Sequence, residues 1–369
     1  MAKQFTYAQE KSIRILSLTR AILDELPEIV LDYIQAIADT TQPLTRYAYA
    51  QDIRIFVNYL AKENPDFGQK PIVEWTKDDF SHVKPRDIVL YLDYLNFYAD
   101  ENDAAVTNQE LGKMRKFFSL RSFYKWMFKQ QLIPSDISML VDAPKRHEKP
   151  ILRLEIDEVA RILDAAETGE KLTKKQQDYQ KITQKRDLAM LTLFLGTGIR
   201  VSECVGLDLD DIDFNVGSFL VTRKGGNQSI LYMPEEVEKA LKEYIAERKQ
   251  MEALEGHENA LFLSLQKKRM GVRAVENMVK KYAAIAAPLK KRISPHKLRS
   301  TYGTNLYNET GDIYLVADVL GHADINTTRR HYAAMSDERR RLAAKKVSLR
   351  EDSISQKENE APGETSPDA

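Results

Sequence analysis

IDFNVGSFLVTRKGGNQSILYM, residues 212–233, is the stretch on which the fold class turns. On both sides of it apolar residues recur at intervals of three and four, the period of helices packed on a core. Within it that period lapses, and residues 212–214, 218–222 and 229–233 are predicted as short strands. Lys224-Gly225-Gly226-Asn227 makes the tip between the last two, because glycine and asparagine enter the backbone region that a tight hairpin demands. A small hairpin or three-stranded sheet is expected inside an otherwise helical chain.

Moving upstream, residues 187–195 are apolar and helical, interrupted by Gly196 and Gly198, with a restart at Ser202 as a cap or first-turn residue. Residues 167–186 are polar and highly charged with no core-forming pattern, so they are predicted as an insertion or a long loop. Residues 155–166 are helical. Before them APKRHEKP, residues 143–150, has two prolines among charged groups, the composition of a semi-rigid linker. The part N-terminal to it reads as a helical bundle throughout. Residues 47–60 carry Ile53, Phe56, Val57 and Leu60 on one side, and Pro85 marks a helix start. Residues 111–132 carry Met114, Phe117, Phe118, Phe123, Trp126 and Met127. Those aromatics sit at helical spacing and are expected in the core rather than stacked on bases. The basic residues between them, Lys113, Arg115, Lys116, Arg121 and Lys125, are the candidate phosphate contacts.

Downstream of the sheet, residues 235–250, 272–286, 296–310, 313–320 and 336–346 read as helices, and the segment after Arg350 has the composition of a disordered tail. With 369 residues, 43% of them hydrophobic, the chain can build two cores. The expected division is 1–143, a linker 144–152, 153–349, and an acidic tail 350–369. Net charge is zero, but residues 350–369 hold six acids against two bases, leaving the remainder at +4. Residues 267–299 alone hold eleven Lys or Arg and one acid, Glu276, a density suited to phosphates, although a charge run by itself is usually a solvated face. No apolar run reaches the roughly 18 residues of a membrane span, and residues 1–10 lack a secretory apolar block. A cytoplasmic protein with no membrane partner is expected. Cys204 is the only cysteine, which excludes an internal disulfide and a cysteine-built zinc site.

Four strings carry chemistry: GTGIRVSE (196–203), TRKGGN (222–227), HKLRSTYGT (296–304) and GHADINTTRRHY (321–332). Transfer at a phosphodiester requires a nucleophile, donors for the non-bridging oxygens, and a proton for the leaving alcohol. Arg200 and Arg299 each offer a planar fork of donors that lysine cannot reproduce. His296 lies one helical turn before Arg299, so the two can address one ligand. Lys224, at a hairpin tip, suits a general acid whose pKa is lowered near the arginines, although a glycine-flanked lysine is ordinarily just solvated. His322 can hydrogen-bond a phosphate, and Tyr332, the only tyrosine after Tyr314, supplies a phenol that stores the bond energy covalently without ATP. His296, His322 and His331 invite a metal reading, but their spacings form no tight ligand cluster. Gly196-Thr-Gly198 lacks the lysine and spacing of a nucleotide-phosphate loop. No metal and no nucleotide cofactor are expected.

Taken in this order around a hairpin, the four strings resemble the tyrosine recombinase and integrase family over nearly the whole chain, most closely its Xer branch in the single-recombinase form. The resemblance implies a mainly α, two-domain protein: a helical, SAM-like core-binding domain, then an α+β catalytic domain with a small antiparallel three-stranded sheet. It implies Arg200, Lys224, His296, Arg299 and His322 as catalytic residues, Tyr332 as nucleophile, and Glu203 as a supporting acid that orients Arg200. It implies double-stranded DNA bearing a specific recombination site as partner, and a homotetramer on two duplexes with helix 336–346 exchanged between subunits. The task implied is chromosome dimer resolution or mobile-element integration and excision. Two departures stand out. Tyr332 arrives one position later after Gly321-His322 than in many members, which have the tyrosine where His331 stands here, and Ala334 occupies a position that is often histidine. The longer spacing resembles integrases of conjugative elements. Two rival readings share the strings: a type IB topoisomerase, against which the helical N-terminal domain argues, and a catalytically silent DNA-binding regulator, which leaves the full reactive set unexplained.

Overall fold

The structure, a computed structural model, describes residues 5–99, 103–145, 147, 153–223, 226–290, 293–321, 325 and 328. The chain divides into two units, Met1–Lys149 and Pro150–Ala369.

In the first unit α1 (Tyr7–Leu23) opens with a reciprocal cap. Thr6 N–H donates to the Gln9 side chain at 2.9 Å while the Thr6 hydroxyl accepts from Gln9 N–H at 3.3 Å, satisfying two of the donors every helix start leaves open. α2 (Glu28–Ala36), α3 (Pro43–Glu63), α4 (Lys77–His82) and α5 (Pro85–Tyr94) follow, α3 and α5 both with proline in the first turn, where the missing N–H costs nothing. A two-residue antiparallel pair, β1 (Tyr98–Ala99) with β2 (Ala105–Val106), interrupts the all-helical reading; strands this short carry no periodicity to detect. α6 (Glu110–Lys129) completes the unit. Its Phe117, Phe123 and Met127 are buried, Trp126 packs partly buried against them, and Phe118 is exposed. Phe123 meets Tyr33 and Phe80 edge-on, both at 5.2 Å between ring centres, a geometry that places positive ring edges on negative faces.

The second unit begins with α7 (Ile156–Thr168) and α8 (Lys174–Thr197). α8 overturns the loop expected over residues 167–186. Thr173 caps it, Gln176 returns the bond, and the helix runs through Gly196 to a left-handed Gly198. Its first turns bury polar groups instead of an apolar stripe: Gln180 donates to Ala166 O at 2.8 Å and Thr183 to Asp187 at 3.0 Å. Lysine and glutamine are good helix formers, so the segment is helical without a hydrophobic period. Asp187 also accepts from Arg186 at 2.7 Å, Lys281 at 3.1 Å and Tyr282 at 2.9 Å.

α9 (Val201–Cys204) leads to the sheet of β3 (Ile212–Asp213), β4 (Ser218–Thr222) and β5 (Gln228–Tyr232), antiparallel in the order β3-β4-β5. Phe219 pairs with Leu231 on the buried face, and Leu220 with Ile230 on the outer one. α10 (Glu235–Arg248), α11 (Val272–Ala286), α12 (Pro295–Thr310) and α13 (Ile313–Leu320) complete the described fold. The protein is therefore mainly helical with one small antiparallel three-stranded sheet. Asp312 caps α13, accepting from Tyr314 and Leu315 N–H at 2.8 and 3.1 Å, and Val316 and Leu320 pack it on Tyr302, Leu306 and Tyr307. Among the described residues no helix is long and apolar enough to cross a membrane.

Candidate active site

Two left-handed glycines bring the site together. Gly198 ends α8 with φ +63° and Gly321 ends α13 with φ +59°. Two residues beyond Gly198, Arg200 stands as N-cap of α9, and Glu203, one turn later, grips it twice. Arg200 N–H donates to Glu203 Oε2 at 2.9 Å and the guanidinium to Oε1 at 2.7 Å. The Glu203 side chain is 2% exposed and that of Arg200 is 29% exposed, so a buried carboxylate fixes a guanidinium that still reaches the surface. Arg299, on α12 and 4% exposed, donates to Gly198 O at 2.6 Å and to Leu320 O.

The end of α13 receives a third guanidinium. Arg223 donates to Leu320 O at 2.9 Å and Val319 O at 3.0 Å, while Arg200 donates to Gly321 O at 2.7 Å. The last carbonyls of a helix have no intrahelical donor and carry the negative end of its dipole. Three cations satisfy three successive carbonyls and are held within one small region, with Glu203 as the carboxylate bonded to one of them. Burial pulls the Arg223 guanidinium below its ordinary pKa, and the neighbouring Arg200 pulls the same way, while Glu203 and Asp318 oppose. An arginine keeps its charge against such shifts. His296 is exposed in the first turn of α12, one turn before buried Arg299.

Arg200, Glu203 and Arg299 are thus gathered from positions 200 to 299, with His296 on the same helix as Arg299. Lys224, His322 and Tyr332 lie outside the described residues, as does the helix expected at 336–346. Sequence reasoning misses Arg223, because a single arginine before Lys224 has no spacing signature. Its proximity to a helix end 96 residues away exists only in the fold.

The bases of α6 divide. Lys125 is exposed and Lys113 half-buried, as phosphate contacts require, but three others are engaged within their own unit. Lys116 is 6% exposed and donates to Asn108 at 2.9 Å. Arg121 donates to Val141 O at 2.9 Å and lies over the Phe117 ring. Arg115 pairs at 2.5 Å with Asp52, whose side chain is 0% exposed and also accepts from Ser119 at 2.7 Å. Helical spacing could not separate these roles, because α6 packs bases as well as aromatics inward.

Arg115→Ala is expected to cost about 2 kcal/mol at neutral pH, below the ~3–5 kcal/mol of breaking a fully buried pair because half of Arg115 is solvated. Burial, first, pushes the Asp52 carboxyl above its ordinary range, against Ser119 and Arg115. A raised folded-state pKa favours the folded state most below the unfolded value, and that contribution is lost as pH rises through the folded one. The cost of Arg115→Ala should therefore shrink as pH falls and Asp52 takes a proton. Urea unfolding at pH 4 and pH 7 reads this, and an equal cost at both would refute the charge argument.

The second unit thus gathers helices around one small sheet and sets two arginines beside the glycine that ends α8 and the glycine that ends α13. Residues 153–339 match the phage integrase family, and the chain belongs to that family of tyrosine-type site-specific recombinases. Its relatives put it in the Xer branch. It is 30% identical over 330 residues to the tyrosine recombinase XerC of Caldanaerobacter subterraneus subsp. tengcongensis, covering 87% of this chain and 86% of the relative. It is 28% identical to XerD of Staphylococcus aureus over 76% of this chain and 85% of that one. Among solved structures the fold is shared with XerH in a post-cleavage complex with a palindromic difH substrate (TM-score 0.61, 18% identity, 83% of this chain and 81% of that one). It is also shared with the Tn1549 transposon integrase in complex with transposon right end DNA (TM-score 0.59, 22% identity, 85% and 99%).

Proposed function

We propose that this recombinase cleaves one DNA strand through a 3′-phosphotyrosine at Tyr332, using neither metal nor ATP, and rejoins it to a new partner at a specific recombination site. The observation that carries the reading is the pairing of Arg200, oriented by buried Glu203, with Arg299 beside Gly198 and Gly321. The two forks neutralise the non-bridging oxygens as charge grows on them. The Tyr332 oxygen bonds to phosphorus, the bond from phosphorus to the 5′ oxygen breaks, and Lys224 delivers a proton to that oxygen. The phenolic proton passes to a base, a role assigned to His296, and His322 adds a hydrogen bond to the phosphate. The bond energy is kept in the phosphotyrosine, so religation is the same step reversed.

The N-terminal unit is assigned as the core-binding domain, gripping duplex DNA with Lys113 and Lys125, and residues 153–349 as the catalytic domain. Exchange of strands between two duplexes needs four cleavages, hence a homotetramer, with residues 336–346 as the piece handed to a neighbour. The work is done in the cytoplasm, for chromosome dimer resolution or for integration and excision of a mobile element.

The test is a pool of nicked duplexes with randomised centres, in which the short fragment beyond the nick diffuses away and traps the adduct. Wild type in EDTA without nucleotide should form detergent-resistant protein–DNA adducts and enrich one sequence, and Tyr332→Phe should form none. Adducts from Tyr332→Phe, or a requirement for magnesium or ATP, would refute the reading.

A further inference from the structure

The phosphate chemistry assigned above uses two of the three guanidiniums at the end of α13. The third, Arg223, reaches the same helix end from the turn that follows β4. Its two terminal nitrogens donate to Leu320 O and Val319 O, and its Nε is buried without a partner among the described residues. Its backbone closes the base of the β4–β5 turn, with Arg223 N–H donating to Asn227 O at 2.7 Å and Gly226 N–H donating to Arg223 O at 3.1 Å. A side chain rooted in the sheet therefore holds the carbonyl end of a helix 96 residues later in the chain.

The two phosphate arginines rest on the same helix end. Arg299 shares Leu320 O with Arg223, and Arg200 takes the next carbonyl, Gly321 O. The fit is close enough that a Cβ on Gly321 would stand 2.3 Å from Arg223 Nη1, so only glycine lets the helix end approach this guanidinium.

We propose that Arg223 is a positioning residue for the Arg200–Arg299 pair: by bridging Val319 O and Leu320 O it holds the platform on which both forks rest, and so sets where they meet the scissile phosphate. The proposal rests on the cleavage reading above. A lysine there keeps the charge but has no fork, and a point donor cannot bridge two successive carbonyls in fixed geometry. Misplacing a catalytic group by about 1 Å costs on the order of 10²-fold, which sets the size of the effect.

The readout is single-turnover adduct formation by full-length protein on the nicked duplex enriched from the randomised pool. Arg223→Ala should be slowed about 10²-fold with DNA affinity within about threefold of wild type, and Arg223→Lys at least about tenfold. A second duplex carries a neutral methylphosphonate at the scissile position, which leaves no anionic oxygen for the forks to balance. On it wild type, Arg223→Ala and Arg223→Lys should agree within about threefold, as should Arg200→Ala, because misplaced arginines no longer matter. Full activity of Arg223→Ala or Arg223→Lys on ordinary DNA overturns the proposal. So does a defect that persists on the methylphosphonate but vanishes with a 5′-bridging sulfur, a leaving group that needs no proton, since that pattern assigns Arg223 to leaving-group protonation. Should Arg223→Ala melt at the assay temperature, Arg223→Lys and Arg223→Gln are compared on the same two duplexes. Failure of wild type to form any adduct refutes the cleavage reading itself, a result separable from a normal wild type with normal Arg223 variants.

Discussion

Arg299→Ala should reduce covalent adduct formation by about 10³-fold, the upper range for removing one donor to a developing oxyanion, and should destabilise the second unit as well. Arg299 is 4% exposed and fills Gly198 O at 2.6 Å together with Leu320 O. Taking it away strips a buried donor from two buried carbonyls, at about 1–3 kcal/mol for each group left unsatisfied, although Arg223 still reaches Leu320 O. The two losses separate in Arg299→Lys. The charge is retained and one carbonyl can be bonded, so much of the stability returns, while the fork is lost and cleavage stays down by about 10². Thermal unfolding and single-turnover adduct kinetics on the same preparations read both quantities. Cleavage by Arg299→Ala within about tenfold of wild type would remove Arg299 from the reaction, whatever its part in the fold.

The second large effect is expected at Gly198, where no side chain is at stake. Its φ of +63° costs an L residue about 1–2 kcal/mol. A Cβ would stand 2.4 Å from Tyr302 Cδ1 and 2.9 Å from Leu320 Cδ2. Neither neighbour can retreat freely, because Tyr302 and Leu320 pack in the cluster that seats α13, and overpacking of that kind costs about 1–3 kcal/mol. Gly198→Ala should therefore lose about 3 kcal/mol of stability and, since Gly198 O anchors Arg299 two residues before Arg200, most of the cleavage activity. Gly256→Ala separates the two contributions. Its φ of +80° is equally left-handed, but among the described residues no atom beyond its own chain neighbours lies within 4 Å of the added Cβ, so it should lose only the conformational ~1–2 kcal/mol. Equal melting temperatures for the two variants would show that the packing around Gly198 yields, contrary to the argument.

The strings proposed to carry catalysis are legible in the amino-acid sequence because each is a local arrangement. A fork of donors at Arg200, a glycine-bounded hairpin around Lys224 and His296 one turn from Arg299 are all written within a few residues. The family's order of strings joins them. The helix ends expected at 310, 313 and 320 are the observed ones, and Gly311, Asp312 and Gly321 stand just beyond them. The start of α8 escapes because residues 174–186 fold onto polar partners, Gln180 on Ala166 O and Thr183 on Asp187, and a polar inner face has no hydrophobic period.

Whatever depends on neighbours along the chain can be read from the residues alone: the change of period at 212–233, the glycines that end helices and make turns, and the residue types a phosphoryl transfer needs. Which of several like charges face inward is settled by packing. Arg115 and Arg121 have the same chemistry as Arg200, yet the first two are drawn to Asp52 and to the carbonyls of Ser138 and Val141. Arg223 reads locally as an ordinary turn residue, and it is α13 that presents open carbonyls to it. A guanidinium is attracted by whatever acceptor the fold brings within about 3 Å, and that distance is set by the packing of segments from 17 to 97 residues apart rather than by the arginine's immediate neighbours.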